Sequence, residues 1–141
     1  MYSFSIRIMK IGFIARIDRG GLAIESQEFV SHMKPDRVMA IKVGDMVHDE
    51  KRFPDATIID GVPSKNDILK FIKGLDVIFS IETFYSPEMT RICRQQGVKT
   101  ILRINYEWFE PDKGLKFCMA VAVGYQGIEL PKRENVLNIC K

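Results

Sequence analysis

The sequence predicts an α/β fold, doubly wound, with a mostly parallel sheet and helices on both faces. Three observations lead there. Six short runs rich in Val, Ile and Phe read as strands buried on both faces, at 9–17, 37–43, 56–60, 76–81, 99–105 and 117–123. Segments of helical period with recognisable caps lie between several of them. Strands alternating with helices of about 10–12 residues are the pattern of βαβ units, whose connections are right-handed.

The first helix follows the pair Gly20-Gly21. Leu22, Phe29, Val30 and Met33 fall on one stripe, Glu25, Gln27, Glu28 and Ser31 lie mostly elsewhere, and Pro35 ends the pattern. In 64–75, Ser64 is placed to cap and Asp67 stands three residues on, a relative of the capping box. Ile68, Leu69, Ile72 and Leu75 supply the apolar face, and Gly74 sits where a C-terminal cap belongs. The third helix, in 86–97, has Ser86 as N-cap, Pro87 at its first position and Gly97 just past its end, with Met89, Ile92 and Cys93 facing inward. Segment 44–55 has no helical period and reads as a long polar loop. After Val123 the pattern is less regular, although 134–140 suits a last edge strand. There is no internal repeat or linker, so a single domain over 1–141 is expected.

Composition narrows the function. With 141 residues the chain can bury roughly 68–70% of its unfolded surface, and 46% apolar with 28% charged residues is ordinary for a globular protein. The net charge is +3, and its 21 basic residues are scattered among 18 acidic ones, which argues against nucleic acid as a partner. Cys93, Cys118 and Cys140 form no CxxC and have no nearby His to complete a zinc set; no metal is expected, and the thiols read as reduced. No apolar run approaches the ~20 residues of a membrane span. The first residues lack a signal-peptide pattern, so a cytoplasmic location is expected.

In a doubly wound sheet, ligands bind outside the carboxyl ends of the strands where the strand order reverses. With the order 3-2-1-4-5, that crevice lies between strands one and four. Strand one runs out into Asp18-Arg19-Gly20-Gly21, strand four into Glu82-Thr83-Phe84-Tyr85, and the neighbouring fifth into Asn105-Tyr106-Glu107-Trp108. Glycines there permit positive φ and close approach, and the free N–H groups of the following helix favour an anion or a polar hydroxyl. The alternative is that Gly20 and Gly21 only make a tight turn. Standard fingerprints fail: the spacing is not Gly-x-Gly-x-x-Gly, and there is no Gly-Lys-Ser/Thr or Gly-x-Ser-x-Gly. Asp45 does fall near the end of strand two, where a ribose-binding acid would sit.

The stretches "DRGGLAIESQEF", "RFPDATIIDGVPSKNDILKFIKGLDVIFSIETFY" and "GVKTILRINYEWFEP" together resemble the amino-terminal half of GT-B-type glycosyltransferases, built from two Rossmann-like domains facing across a cleft. The resemblance covers nearly the whole chain from about Met9. It implies a Rossmann-like domain that recognises a sugar-bearing or hydroxyl acceptor, with Gly20, Gly21, Thr83, Asn105 and Tyr106 binding the acceptor and Glu82 and Glu107 as catalytic groups. The family's nucleotide-sugar donor is bound by a carboxy-terminal domain, and the sequence ends near where that domain would begin. No cofactor is therefore assigned to this chain, and a donor-domain partner or self-association is expected. Many relatives carry a His after the fifth strand, where this sequence has Asn105-Tyr106.

Each candidate has a plainer alternative. Glu82 and Glu107 suit proton transfer or hydroxyl binding in a shielded cleft, or are solvated loop acids, Glu82 lying just before a helix start. Asn105 orients an acceptor hydroxyl or closes a turn. Tyr85, Tyr106, Trp108 and Phe109 stack on sugar or complete a core. Arg19 and Arg103 meet a phosphate, or Arg103 pairs with an acid inside its strand. His32 and His48 lack metal-ligand spacing, and 49–52 reads as a solvated loop face. Two other functions stand beside acceptor recognition: a non-catalytic binding module on the same fold, and a small nucleotide-binding protein using Gly20-Gly21 and Asp45.

Overall fold

A computed structural model describes residues 8–103 and the backbone of 120–121. Along the chain run β1 (Ile11–Arg16), α1 (Gly21–Met33), β2 (Arg37–Lys42), a 3-10 turn (Glu50–Arg52), β3 (Thr57–Asp60), α2 (Lys65–Ile72), β4 (Val77–Ile81), α3 (Met89–Gln95), β5 (Lys99–Arg103) and β6 (Ala120–Val121). The strands form one sheet in the order β3-β2-β1-β4-β5-β6, and every pairing is parallel. The doubly wound, Rossmann-like α/β architecture and its central strand order are those the sequence predicts.

Alternation along β1 shows why the sheet needs cover on both faces. Ile14 packs with Met39, Ile41 and Ile78 under α2 and α3, whose Ile68, Phe71, Ile72, Met89, Ile92 and Cys93 are buried. Its neighbours Phe13 and Ala15 point the other way, into a cluster with Ile17, Ala40 and Ile81 covered by Leu22, Phe29, Val30 and Met33 of α1. Phe13, Phe29 and Phe79 stack there, with centroids 5.5–6.3 Å apart. Gly12 has its own reason: a Cβ on it would lie 2.5 Å from Leu75 Cδ1 and 3.0 Å from Phe71 Cζ, so its bareness lets α2 close onto the sheet.

The helix ends follow the capping chemistry, with one shift. Ser64 Oγ accepts the Asp67 N–H and Asp67 accepts the Ser64 N–H, a complete capping box. Gly74 and Gly97 lie just beyond α2 and α3 with φ of 77° and 72°, and Lys34 ends α1 in the left-handed region before Pro35. The third helix differs: Ser86 opens a preceding turn rather than the helix itself. Its Oγ and its carbonyl accept the Glu88 and Met89 N–H groups, each at 3.3 Å, and regular helix starts at Met89.

Segment 44–55 is more than the polar loop expected. It contains the 3-10 turn, buries Phe53 in the α1-side cluster, and pairs His48 with Asp18 in an antiparallel bridge. A single buried aromatic has no period, so hydrophobic periodicity does not show it.

Candidate functional site

The carboxyl ends of β1 and β4 face the place where the strand order reverses, and the segments leaving these two strands build the site. After β1 the chain passes through Ile17, fully buried, to Asp18, also fully buried. A lone buried carboxylate is very unfavourable, so its partners matter. Arg16 donates Nε to Oδ2, and the Gly20 N–H donates to Oδ1 at 2.5 Å. Asp18 thus folds the turn back on itself and aims the start of α1.

The glycines then divide the work. Gly20 has φ −78°, an ordinary extended conformation, so the positive φ expected for this turn is not what selects it. Its missing Cβ does: one placed there would lie 2.6 Å from Asp18 Oδ1. Gly21 is the first residue of α1, is exposed, and would carry a Cβ into open space. Gly20 makes no side-chain cap, the first turn of α1 has no acidic residue, and the Gly21 and Leu22 N–H groups have no hydrogen-bond partner among the described residues. The positive end of a 13-residue helix is presented at the crevice.

Across from it, the chain leaving β4 is strained. The Thr83 N–H bonds the Ile81 carbonyl at 2.8 Å, closing a three-residue turn with Glu82 at its centre, φ 64°. A γ-turn with positive φ is rare for a side-chain-bearing residue and marks a place where the surroundings dictate conformation. The surroundings are visible. The Glu82 N–H reaches the Arg103 carbonyl of β5 at 2.6 Å; buried Ser80 places Oγ 2.6 Å from the Thr83 carbonyl; and Thr83 Oγ1 accepts the Tyr85 N–H at 3.1 Å. Tyr85 also has positive φ, 59°. Burial pushes its phenol above the usual tyrosine range; nearby Arg16 opposes the shift, while Glu82 and Asp18 add to it. Arg16, Asp18, Glu82 and Tyr85 therefore share one electrostatic neighbourhood.

Of the residues singled out from sequence, Gly20, Gly21, Glu82 and Thr83 lie on this rim, with Glu82 half-buried and Thr83 exposed. Asn105, Tyr106, Glu107, Trp108 and Phe109 fall outside the described residues. Tyr85 is half-buried against the α2–α3 core, so its ring has packing partners before any ligand. Arg103 is engaged by Glu25 and lies 5.5 Å from the centre of the Phe29 ring, the ion-paired alternative rather than a phosphate contact. In the loop, Lys42 pairs with Glu50 and Arg52 Nη1 donates to Gln27 of α1 at 2.7 Å, so 49–52 is partly tied down. His32 lies on the exposed face of α1. Asp45 sits exposed on a turn after β2. Among the described residues no group of three or more His, Cys, Asp or Glu is placed to hold a metal.

Sequence reasoning passed over Asp18, Arg16 and Ser80 as site builders. The signals were there: an acid two residues before a glycine at a strand end suits a local side-chain-to-backbone turn, and a serine interrupts the apolar run VIFSI. The fold and crevice define a doubly wound, Rossmann-like α/β protein with an uncapped helix start facing a strained acidic turn. Compared with family models, curated proteins and solved structures, the chain has no match. Among the described residues no helix is long and apolar enough to cross a membrane.

Proposed function

We propose that this chain is the acceptor-side, amino-terminal domain of a GT-B-type glycosyltransferase arrangement, binding a hydroxyl-bearing acceptor in the crevice between β1 and β4. The observation that carries the reading is the pairing of Glu82, held at positive φ by contacts from β4 and β5, with the unfilled N–H groups at the start of α1. A hydroxyl acceptor needs both kinds of group. N–H donors fix its oxygens, and a carboxylate accepts its proton as the oxygen attacks the anomeric carbon of a donor sugar while the nucleotide leaves. In that arrangement the nucleotide-sugar donor is held by the complementary, carboxy-terminal domain.

The test is ligand-observed NMR with a panel of mono- and disaccharides, run on the wild type, Glu82→Gln and Gly21→Val. Saturation transfer from at least one sugar is expected for the wild type and is lost in both variants, whose circular dichroism stays unchanged. Absence of any sugar binding, or variants that bind as the wild type does, rejects the reading.

A further inference from the structure

The edge of the sheet opposite the crevice has a different chemistry. There the amino ends of the strands meet the carboxyl ends of the helices, gathering Lys10 before β1, Lys34 after α1, Lys70 and Lys73 at the end of α2, and Lys99 at the start of β5. All five lysines are exposed, and none takes part in an ion pair among the described residues. The acids on this edge, Asp36 and Asp76, use Oδ2 to accept the backbone N–H groups of Ile11 and Lys10, at 2.7 and 2.9 Å. Residues 8–103 carry 15 basic and 13 acidic side chains, whereas this edge sets the five lysines and Arg37 against Asp36 and Asp76, so the positive charge of the described residues is concentrated at this end.

Lysines near helix carboxyl ends ordinarily answer the helix dipole. That explanation falls short here. Arg37 already donates to the carbonyls of Phe71 and Lys73, at 2.5 and 2.9 Å, so the end of α2 is served without Lys70 or Lys73. Beside Lys10, Ile8 and Met9 are 81% and 60% exposed. Basic side chains around protruding apolar ones suit a surface that offers both anionic headgroups and hydrocarbon. A nucleic acid backbone or an acidic peptide would engage the charge alone.

We infer that this amino-end face docks on an anionic lipid bilayer as a peripheral contact, with the lysines at the headgroups and Ile8 and Met9 entering the interface. The crevice at the opposite edge then faces away from the lipid. The inference does not depend on the nature of the acceptor.

The test is vesicle co-sedimentation of the 141-residue chain with phosphatidylcholine alone and with phosphatidylcholine–phosphatidylglycerol mixtures, at low and high salt, with RNA as a competing polyanion. Binding is expected only to the mixed vesicles and weakens with salt. Lys10→Glu, Lys34→Glu and Lys73→Glu each reduce it by about fivefold or more, the effect of one basic side chain near such a surface. Replacing Ile8 and Met9 by Ser weakens binding to vesicles without changing any binding to RNA. Equal binding to neutral vesicles, indifference to the charge reversals, indifference of vesicle binding to the Ile8 and Met9 replacement, or RNA binding that outcompetes vesicles would each overturn the inference.

Discussion

Gly20 and Asp18 are fitted to each other: Asp18 Oδ1 accepts the Gly20 N–H at 2.5 Å, and a methyl group on Gly20 would lie 2.6 Å from that same oxygen. The carboxylate is fully buried and also held by Arg16, so it has no room to retreat. Gly20→Ala is therefore expected to destabilise the protein by roughly 1–3 kcal/mol, as overpacking does. Gly21→Ala meets open space and is expected to be neutral or stabilising by up to about 1 kcal/mol, because alanine narrows the unfolded ensemble. Urea denaturation of the two variants checks the contrast.

A second close approach lies at the other end of β1. Any side chain on Gly12 must displace Leu75 and Phe71, which belong to the buried face under α2. Gly12→Ala is expected to lower stability by about 1–3 kcal/mol, and Gly12→Val by more. Pairing Gly12→Ala with Leu75→Ala should recover part of the loss, and a double-mutant cycle reads that coupling directly.

The capping box of α2 gives a pH signature. Hydrogen bonds from the Ser64 hydroxyl and backbone hold the Asp67 carboxyl below its ordinary 3.8. Because its folded value is depressed, the contribution is fully present above the unfolded value and disappears as pH falls through the folded one. The Tm difference between wild type and Asp67→Ala should be constant near neutrality and close at acid pH below 3.8. Ser64→Ala should cost about 1 kcal/mol at neutral pH.

Tyr85 gives the opposite signature. Its phenol is raised above the ordinary 10.0 by burial, so the fold favours the protonated form. That stability is complete below the unfolded value and is lost as pH rises through the folded one. Ultraviolet titration should show a late-ionising tyrosine that titrates normally in urea and vanishes in Tyr85→Phe. Native-state ionisation of Tyr85 at its ordinary pH would remove it from the shielded wall of the crevice.

The strands and helices were legible because each repeats a pattern. Apolar runs such as VIFSI and RVMAIK mark buried strands, and Ser64 with Asp67 marks a helix start by local chemistry alone. The rim was legible only as an address. That Gly20-Gly21 and Glu82-Thr83 come together follows from strand order, but the strain at Glu82 and Tyr85 depends on contacts from β5 and from the buried Ser80, which no window of sequence contains. The same holds for Asp18. Its burial depends on a neighbour two residues before it and on the loop after β2, so it reads as an ordinary polar turn until the chain is folded.

Phe53 changes what the connection between β2 and β3 can do. By anchoring the later part of that connection in the cluster with Ile17, while the Asp49 N–H at its midpoint is fastened to the Ile17 carbonyl at 2.7 Å, it divides one long loop into shorter spans. Most of the ordering entropy of this connection is then spent during folding. The Asp49 amide should exchange with deuterium as slowly as a sheet amide. On the acceptor-binding reading proposed above, a ligand arriving between β1 and β4 would meet one bank already set, and selectivity there would come from shape present beforehand rather than from a wall that wraps whatever enters.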